Sequence, residues 1–304
     1  MMKLIRNIAF PLVPLYYAVT SLRNTLYDLG LKKSTAYSFP VICVGNLSVG
    51  GTGKTPMIEY LIDLLKDDYS IATLSRGYKR KTKGFQLANE FSSAESLGDE
   101  PFQFYSKFRN DIQVAVDGDR TNGIKQLKEL DNSPDVILLD DAFQHRKVKA
   151  GFNILLTTYN KPYFEDFVLP TGNLREPRYG AKRANMIIVT KCPDNLSEAE
   201  KNRFIKSINP NQNQNVFFSS IEYSNDIFSE TGKKSIDSVG NFTLVTGIAN
   251  AHPLVGFLKK KDLQFEHLNF NDHHEFSSED IKELEKKALI ITTEKDFMRL
   301  KQYK

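Results

Sequence analysis

Cysteine and long apolar runs are both scarce in this 304-residue sequence. No stretch reaches the roughly 18 to 20 apolar residues that a helix needs to cross a bilayer, which argues against a membrane-spanning helix. The two cysteines, Cys43 and Cys192, each lie in or just after an apolar run. This placement indicates buried thiols in a reducing compartment rather than a disulfide.

A strong excess of either charge is also missing, because the net charge is only +4. A dedicated nucleic-acid binder would be far more basic, so no nucleic-acid partner is predicted. The mild positive balance suits an anionic substrate or an anionic membrane surface.

The first 30 residues are unusually apolar and aromatic. Between residues 8 and 29 the apolar positions are Ile8, Phe10, Leu12, Val13, Leu15, Tyr16, Tyr17, Val19, Leu22, Leu26, Tyr27 and Leu29, and the basic margins are Lys3, Arg6 and Arg23. Pro11 and Pro14 predict that the helix runs from Leu15 onward. Basic flanks beside such a helix are typical of an element lying in a membrane interface. A helix packed on the protein's own core and a cleaved signal peptide are the alternatives.

Short β-branched runs alternate with helical patterns along the rest of the chain. The predicted strands are Phe39–Val44, Ser70–Ser75, Ile112–Val116, Val136–Leu139, Phe152–Thr157, Met186–Thr190, Val216–Ile221, Phe242–Thr246 and Leu289–Thr292. The predicted helices are Thr55–Lys66, Arg120–Leu130, Glu198–Ile208 and Ser278–Lys287. This alternation predicts an α/β fold with a mainly parallel sheet flanked by helices.

The predicted division is into three parts, with a hinge at the Asn/Gln-rich segment Asn209–Asn215. Residues 1–30 form an N-terminal interfacial helix, residues 31–210 a P-loop kinase core, and residues 211–304 a smaller C-terminal subdomain that contributes to the active-site cleft.

A glycine-rich turn follows the first buried strand and ends in Gly53-Lys54-Thr55, with a helical pattern after it. That context predicts a P-loop, whose backbone amides and helix N-terminus bind phosphates. Lys54 would neutralise the β- and γ-phosphates, and Thr55 would hold Mg²⁺. Ser48 stands where the motif has its first glycine. The predicted nucleotide-binding residues are Ser48, Val49, Gly50, Gly51, Thr52, Gly53, Lys54 and Thr55.

Paired carboxylates, Asp140 and Asp141, follow four apolar residues that read as a buried strand. A P-loop site needs such an acidic residue at the end of a neighbouring strand to reach Mg²⁺ directly or through water. The predicted metal-binding residues are therefore Thr55, Asp140 and Asp141. The alternative is a capping Asp at a strand–helix turn.

The nucleotide is predicted to be ATP. Thr190-Lys191-Cys192-Pro193-Asp194 loosely resembles the guanine reader of GTPases, but it has Thr for Asn and one residue too many before the Asp. A P-loop alone does not fix function, so a membrane-associated nucleotide switch without a small-molecule acceptor is the alternative to a kinase.

The ordered motifs resemble those of the tetraacyldisaccharide 4′-kinase family, the lipid A 4′-kinases of Gram-negative bacteria. Besides the P-loop, the matching segments are 75–78 (Ser-Arg-Gly-Tyr), 98–101 (Gly-Asp-Glu-Pro), 119–120 (Asp-Arg), 140–145 (Asp-Asp-Ala-Phe-Gln-His), 170–177 (Pro-Thr-Gly-Asn-Leu-Arg-Glu-Pro), 246–250 (Thr-Gly-Ile-Ala-Asn), 272–276 (Asp-His-His-Glu-Phe) and 293–296 (Thr-Glu-Lys-Asp). The resemblance covers nearly the whole chain, and Ser48 is the family's own form of the loop. Ala142 departs from the glycine usual at that position.

The resemblance implies transfer of the ATP γ-phosphoryl group to the 4′-hydroxyl of an acylated glucosamine disaccharide 1-phosphate. It implies three catalytic residues: Lys54, Asp99 as the base, and His273, which orients that carboxylate. The alternatives are an N-cap role for Asp99, before a helix beginning near Pro101, and a surface turn around His273.

The resemblance also suggests residues that contact the substrate, namely Tyr78, Arg120, Gln144, His145, Arg175 and Glu176. Each could instead form a structural salt bridge or hydrogen bond. A lipid acceptor stays in the bilayer, so the predicted location is peripheral, at the cytoplasmic face of the bacterial inner membrane.

Overall fold

The computed structural model describes residues 10–229, 232–272 and 274–303. Lys3, Arg6, Ile8 and His273, which the sequence singled out, lie outside these residues. The chain divides into two compact units, Met1–Ile221 and Glu222–Lys304. Among the described residues, none of the helices combines the length and the apolar character needed to cross a bilayer.

The first unit contains an eight-stranded sheet. In chain order its strands are β2 (Val41–Asn46), β3 (Ile71–Ser75), β4 (Gln86–Leu87), β5 (Ile112–Val116), β6 (Val136–Asp140), β8 (Phe152–Thr158), β9 (Met186–Cys192) and β10 (Asn215–Ser220), and two short strands outside it, β1 (Thr35–Ala36) and β7 (Val148–Lys149), pair with each other. The spatial order is β10-β9-β8-β2-β6-β3-β5-β4. Every pairing is parallel except that of the edge strand β4 with β5.

Both faces of this sheet are buried, as the sequence predicted. The helices of the unit are α1 (Val13–Asp28), α2 (Lys54–Leu65), α3 (Ala94–Leu97), α4 (Asp99–Phe108), α5 (Arg120–Lys128) and α6 (Glu198–Ile208). Alternate residues of a central strand enter separate cores: Ile137 and Leu139 join one, while Val136 and Leu138 join the other. A parallel sheet covered on both faces explains why its strands read as continuous apolar runs.

The start of α1 differs from the prediction. The helix was expected from Leu15, but it begins at Val13, after a 3-10 turn over Phe10–Leu12. The expectation was wrong because Pro14 lies in the first turn, where its missing N–H has no helical acceptor in any case and its fixed φ suits a helix.

The second unit contains a three-stranded parallel sheet in the order β14-β13-β15 and a separate hairpin. Its elements are the hairpin strands β11 (Asp226–Ser229) and β12 (Gly232–Ser235), then β13 (Phe242–Thr246), α7 (His252–Lys260), β14 (Phe265–Asn269), α8 (Ser278–Leu284), β15 (Ile290–Thr292) and α9 (Glu294–Leu300). The segment from residue 211 to Ile221, including β10, belongs to the first unit. The three-part division at residues 30 and 210 stays a prediction.

Candidate active site

The phosphate loop connects β2, which ends at Asn46, to α2, which begins at Lys54. Gly50 and Gly53 have φ values of 110° and 90°. Residues with a Cβ rarely adopt these values, so glycine is required at these two positions. The turn that they form brings successive backbone N–H groups together at the N-terminus of α2. All eight predicted nucleotide-binding residues lie in this turn or at the start of α2, where a helix N-terminus favours an anion.

Side chains from two strands hold this loop in shape. The Asn46 amide is fully buried and donates to the Thr52 hydroxyl at 2.9 Å. From the end of β9, the Thr190 hydroxyl donates to the Thr52 carbonyl at 2.8 Å, and the Lys191 ammonium donates to the Gly51 carbonyl at 2.6 Å. Sequence reasoning considered Thr190 and Lys191 only as a guanine reader and missed their support of the loop. The available signal was a polar pair ending a buried strand.

The acidic pair lies beside this loop because β6 pairs with β2, with Val44 opposite Asp140. Burial raises the pKa of the Asp140 carboxyl to about 6, and the charge of Lys54 offsets only part of this effect. Its Oδ2 accepts a hydrogen bond from Ser75 at 3.4 Å, whereas its buried Oδ1 accepts none from the described residues. A buried carboxylate oxygen without a donor suits a cation.

Asp141 has a different environment from its neighbour. Its Oδ1 lies 2.7 Å from Arg175 Nη1 and 3.7 Å from Lys54 Nζ. Burial alone would raise the pKa of Asp141, but these two cations outweigh it and hold the pKa below its ordinary value. The turn takes its left-handed φ of 48° at Asp141 and not at Ala142, so the alanine that departs from the family pattern is compatible with it.

These residues fit Mg²⁺ held mainly by nucleotide and water. No group of three or more His, Cys, Asp or Glu side chains in the described part of the chain could hold a metal ion by itself. Mg²⁺ usually keeps several waters and takes one or two protein ligands beside phosphates. Thr55 and Asp140 are suited to be those ligands.

Replacing Asp140 with Asn is expected to stabilise the protein in EDTA at pH 7. Ionised Asp140 destabilises the fold, so removing its charge should raise the free energy of unfolding by on the order of 2 kcal/mol. The gain should fade between about pH 6 and about pH 4, because a carboxyl whose folded pKa is raised becomes neutral over that range. Urea unfolding of both proteins at pH 7 and at about pH 4 measures the difference in the free energy of unfolding. Equal stabilities at pH 7 would contradict the assigned burial cost.

The start of α4 lies within electrostatic reach of the acidic pair. The charge of Glu100 contributes to the raised pKa of Asp140, after burial and the nearer charges. Gly98, with φ 95°, precedes the helix, and a Cβ there would lie 3.0 Å from the Tyr78 carbonyl oxygen and 3.2 Å from Gly77. The segments 75–78 and 98–101 therefore contact each other through glycine backbone.

Asp99 is half-buried and is the first residue of α4. The alternative that it caps a helix beginning near Pro101 was wrong, because Gly98 occupies the N-cap position. A carboxylate in the first turn is favoured by the helix dipole. No role was predicted for Glu100, although the two adjacent acids of the 98–101 segment were a signal that both carboxylates could act at the site. The predicted partner of Asp99, His273, stays untested.

The structure brings five of the six predicted substrate residues into two polar groups. In the first group, Arg120 is 3% exposed and its Nε has no acceptor among the described residues. Arg120 also affects His145. The pKa of His145 is lowered mainly by burial and, next in size, by the positive charge of Arg120. Buried donors without partners suit an anionic ligand.

Gln144, Arg175 and Glu176 form the second group. Gln144 Nε2 donates to Glu176 Oε1 at 2.9 Å, and Arg175 Nη1 lies 3.4 Å from Gln144 Oε1. Glu176 is 2% exposed and also accepts from Asn24 and Arg183, so its carboxylate is occupied within the protein. This arrangement favours an organising role for Glu176. Tyr78, the sixth residue, is exposed.

Comparison with known proteins agrees with this geometry. The family model described as tetraacyldisaccharide-1-P 4′-kinase matches residues 5–304. The tetraacyldisaccharide 4′-kinase of Flavobacterium johnsoniae is 55% identical over 308 residues, spanning 100% of this chain and 90% of that protein. The enzyme of the same name from Bacteroides fragilis is 46% identical, spanning 96% and 82%.

A crystal structure of LpxK from Aquifex aeolicus in complex with ATP superimposes with a TM-score of 0.78. It is 33% identical in sequence, and the match covers 99% of this chain and 91% of that one. The match supports the mainly parallel fold and the ATP site predicted from the sequence. On this family match and these identities, the chain belongs to the tetraacyldisaccharide-1-P 4′-kinase family.

Proposed function

We propose that this protein is a tetraacyldisaccharide 4′-kinase, which transfers the ATP γ-phosphoryl group to the 4′-hydroxyl of a tetraacyldisaccharide 1-phosphate in lipid A biosynthesis. The observation that carries the proposal is the buried Oδ1 of Asp140, which accepts no hydrogen bond from the described residues and lies beside the Lys54–Asp141 pair at the phosphate loop. Family membership does not favour the alternative of a nucleotide switch that lacks a small-molecule acceptor.

Each part of the site has a separate task in phosphoryl transfer, which depends on positioning and charge neutralisation. The loop amides and Lys54 bind the phosphates, while Thr55 and Asp140 would hold Mg²⁺, whose charge would offset that of the phosphate oxygens. Asp141 orients Arg175 and Lys54 through ion pairs of 2.7 Å and 3.7 Å. Asp99 accepts the proton of the attacking 4′-hydroxyl, and the catalytic role of His273 stays a prediction.

Product formation tests the proposal directly. Purified protein is incubated with Mg-ATP and the acylated disaccharide 1-phosphate, and the bisphosphorylated lipid is measured by mass spectrometry. The expected product should depend on both ATP and acceptor. No product above that of a reaction without the protein would refute the kinase assignment, and acceptor-independent ATP hydrolysis would favour the switch.

We also propose that α1 attaches the protein to the cytoplasmic face of the inner membrane. The outer face of this helix is apolar. Its only fully buried residue is Asn24, whereas Leu15, Val19 and Leu22, which recur at i, i+4 and i+7 and so share one face, are 58–64% exposed. A contiguous exposed apolar strip on one helix is characteristic of contact with lipid.

Changing Leu15 and Leu22 together to Ser should weaken binding to vesicles of phosphatidylethanolamine and phosphatidylglycerol. Each leucine in the acyl boundary contributes about 1.5 kcal/mol or more, so losing both should lower the partition coefficient at least about 100-fold. Vesicle co-sedimentation measures it, with the exposed α1 residue Thr25 changed to Ser as the control. Point substitutions are used rather than a deletion of residues 1–30, because the deletion would also remove the buried Asn24. Partitioning equal to that of the unaltered protein would exclude α1 as the anchor.

A further inference from the structure

The inner, polar face of α1 forms hydrogen bonds with residues that lie next to the proposed catalytic residues. Arg23 Nη2 donates to the Gln144 carbonyl at 2.7 Å, and Arg146 Nη1 donates to the Asn24 carbonyl at 2.9 Å. These contacts fix residues 144–146, which follow the acidic pair closely along the chain. The helix is therefore joined to the active site by polar contacts.

The central contact is a buried hydrogen bond from Asn24 Nδ2 to Glu176 Oε2, at 2.7 Å. Asn24 is 0% exposed and Glu176 is 2% exposed. A buried carboxylate is tolerated only when donors surround it, and here Asn24, Gln144 and Arg183 supply them. Since Arg183 and Gln144 both bind Oε1, Asn24 is the side chain that fixes the other oxygen.

From Glu176 the hydrogen bonds continue to both halves of the phosphate site. Gln144 Nε2 donates to Glu176 Oε1 and to the Asn46 carbonyl, each at 2.9 Å, and Asn46 is the residue whose amide supports Thr52. Gln144 Oε1 accepts from Arg175, which in turn binds Asp141. Gln144 thus joins the end of β2 to the cation that neutralises Asp141.

We infer that Asn24 is a positioning residue for phosphoryl transfer, acting through Glu176 on Gln144, the β2 terminus and Arg175. The inference rests on the proposed function. It gives α1 two separable roles: the exposed apolar face contacts lipid, and the buried polar face sets the geometry of the catalytic site. Disturbing the buried face should reduce turnover even when the acceptor is dispersed in detergent and no membrane is present.

Asn24→Asp is the sharpest single test. It would place two buried carboxylates 2.7 Å apart, and such a pair cannot be ionised together without displacement. The expected result is a fall in kcat of about 30-fold with a KM for ATP within about threefold of the unaltered protein, as for coupled residues of one network. Vesicle binding should not change.

The swap Asn24→Asp with Glu176→Gln should restore turnover. The amide introduced at position 176 can donate to the carboxylate introduced at position 24, while its carbonyl oxygen still accepts from Gln144 and Arg183. Recovery to within about threefold of the unaltered kcat is expected, because the coupling is between the two side chains. Thr25→Asp, which introduces an exposed carboxylate one residue further along α1, is the matched control and should leave kcat unchanged.

Hydrogen exchange separates failure of the inference from failure of the proposed reaction. Amides of residues 141–146 should exchange faster in Asn24→Asp, return to normal in the swap, and stay normal in Thr25→Asp, whatever the enzyme turns over. If Asn24→Asp does not fold, Asn24→Ala replaces it, with kcat measured well below its Tm. An unchanged kcat per folded molecule together with unchanged exchange, in whichever variant folds, would overturn the inference.

Discussion

Replacing Asp99 with Asn is expected to lower kcat by about 10³-fold while ATP still binds with near-normal affinity. Positioned general bases contribute about 10²- to 10⁴-fold, and an amide cannot accept the hydroxyl proton. The substitution keeps the shape of the first residue of α4, so the contact between Gly98 and the 75–78 segment should survive. Single-turnover phosphorylation of the detergent-dispersed acceptor measures the chemical step, and calorimetry measures ATP binding.

Glu95→Gln is the matched control, because Glu95 is an exposed carboxylate on the neighbouring helix α3 that pairs with Lys81 on the surface. It should change kcat by less than about twofold, as expected for an exposed ion pair. A kcat for Asp99→Asn within tenfold of the unaltered value would remove Asp99 as the base. A parallel loss of ATP affinity would instead assign it to nucleotide binding.

Replacing Lys54 with Met should lower kcat/KM by about 10³-fold, because a preorganised positive charge at the transferring phosphate is lost. Lys54 is the first residue of α2 and lies 3.7 Å from Asp141. Without its ammonium, Asp141 also loses the cation whose charge lowers its pKa most. Steady-state kinetics with varied Mg-ATP should show the loss in both kcat and KM.

Lys66→Met provides the comparison for charge removal alone, since Lys66 lies at the other end of the same helix and pairs with Asp63. Its kinetics should match those of the unaltered protein. If Lys54→Met kept more than a tenth of the normal kcat/KM, Lys54 would not be a principal phosphate ligand.

The local elements of the fold could be predicted because their signals are contiguous in the sequence. The bounds of β5, β13 and α6 agree with the prediction, since each is a short periodic segment ended by turn or capping residues, such as the Ser197 capping box of α6. The helix α4 was not among the predicted helices and entered only in the alternative interpretation of Asp99, because its sequence carries Pro, aromatic and charged residues in close succession. Strand order was not predicted because it depends on pairings between distant segments.

The same division applies to the site. The phosphate loop and the Asp140–Asp141 pair could be predicted because each is one uninterrupted motif, and the ATP cofactor that they imply agrees with the family match. The contacts of Asn24 with Glu176 and of Thr190 with Thr52 join residues more than a hundred positions apart, and no local pattern marks them. Which face of α1 is buried was likewise hidden, since the apolar residues that define the helix point outward.

The position of β2 within the sheet has a consequence for how the protein folds during its synthesis. This strand emerges early from the ribosome, yet Val41 pairs with Ile137 and Ile42 with Phe152. Its backbone groups must therefore wait for chain made much later, and such non-local pairing is slow to form. Until β8 is complete the nascent chain presents an open strand edge. Chaperone dependence should be greatest for chains that stop before Phe152.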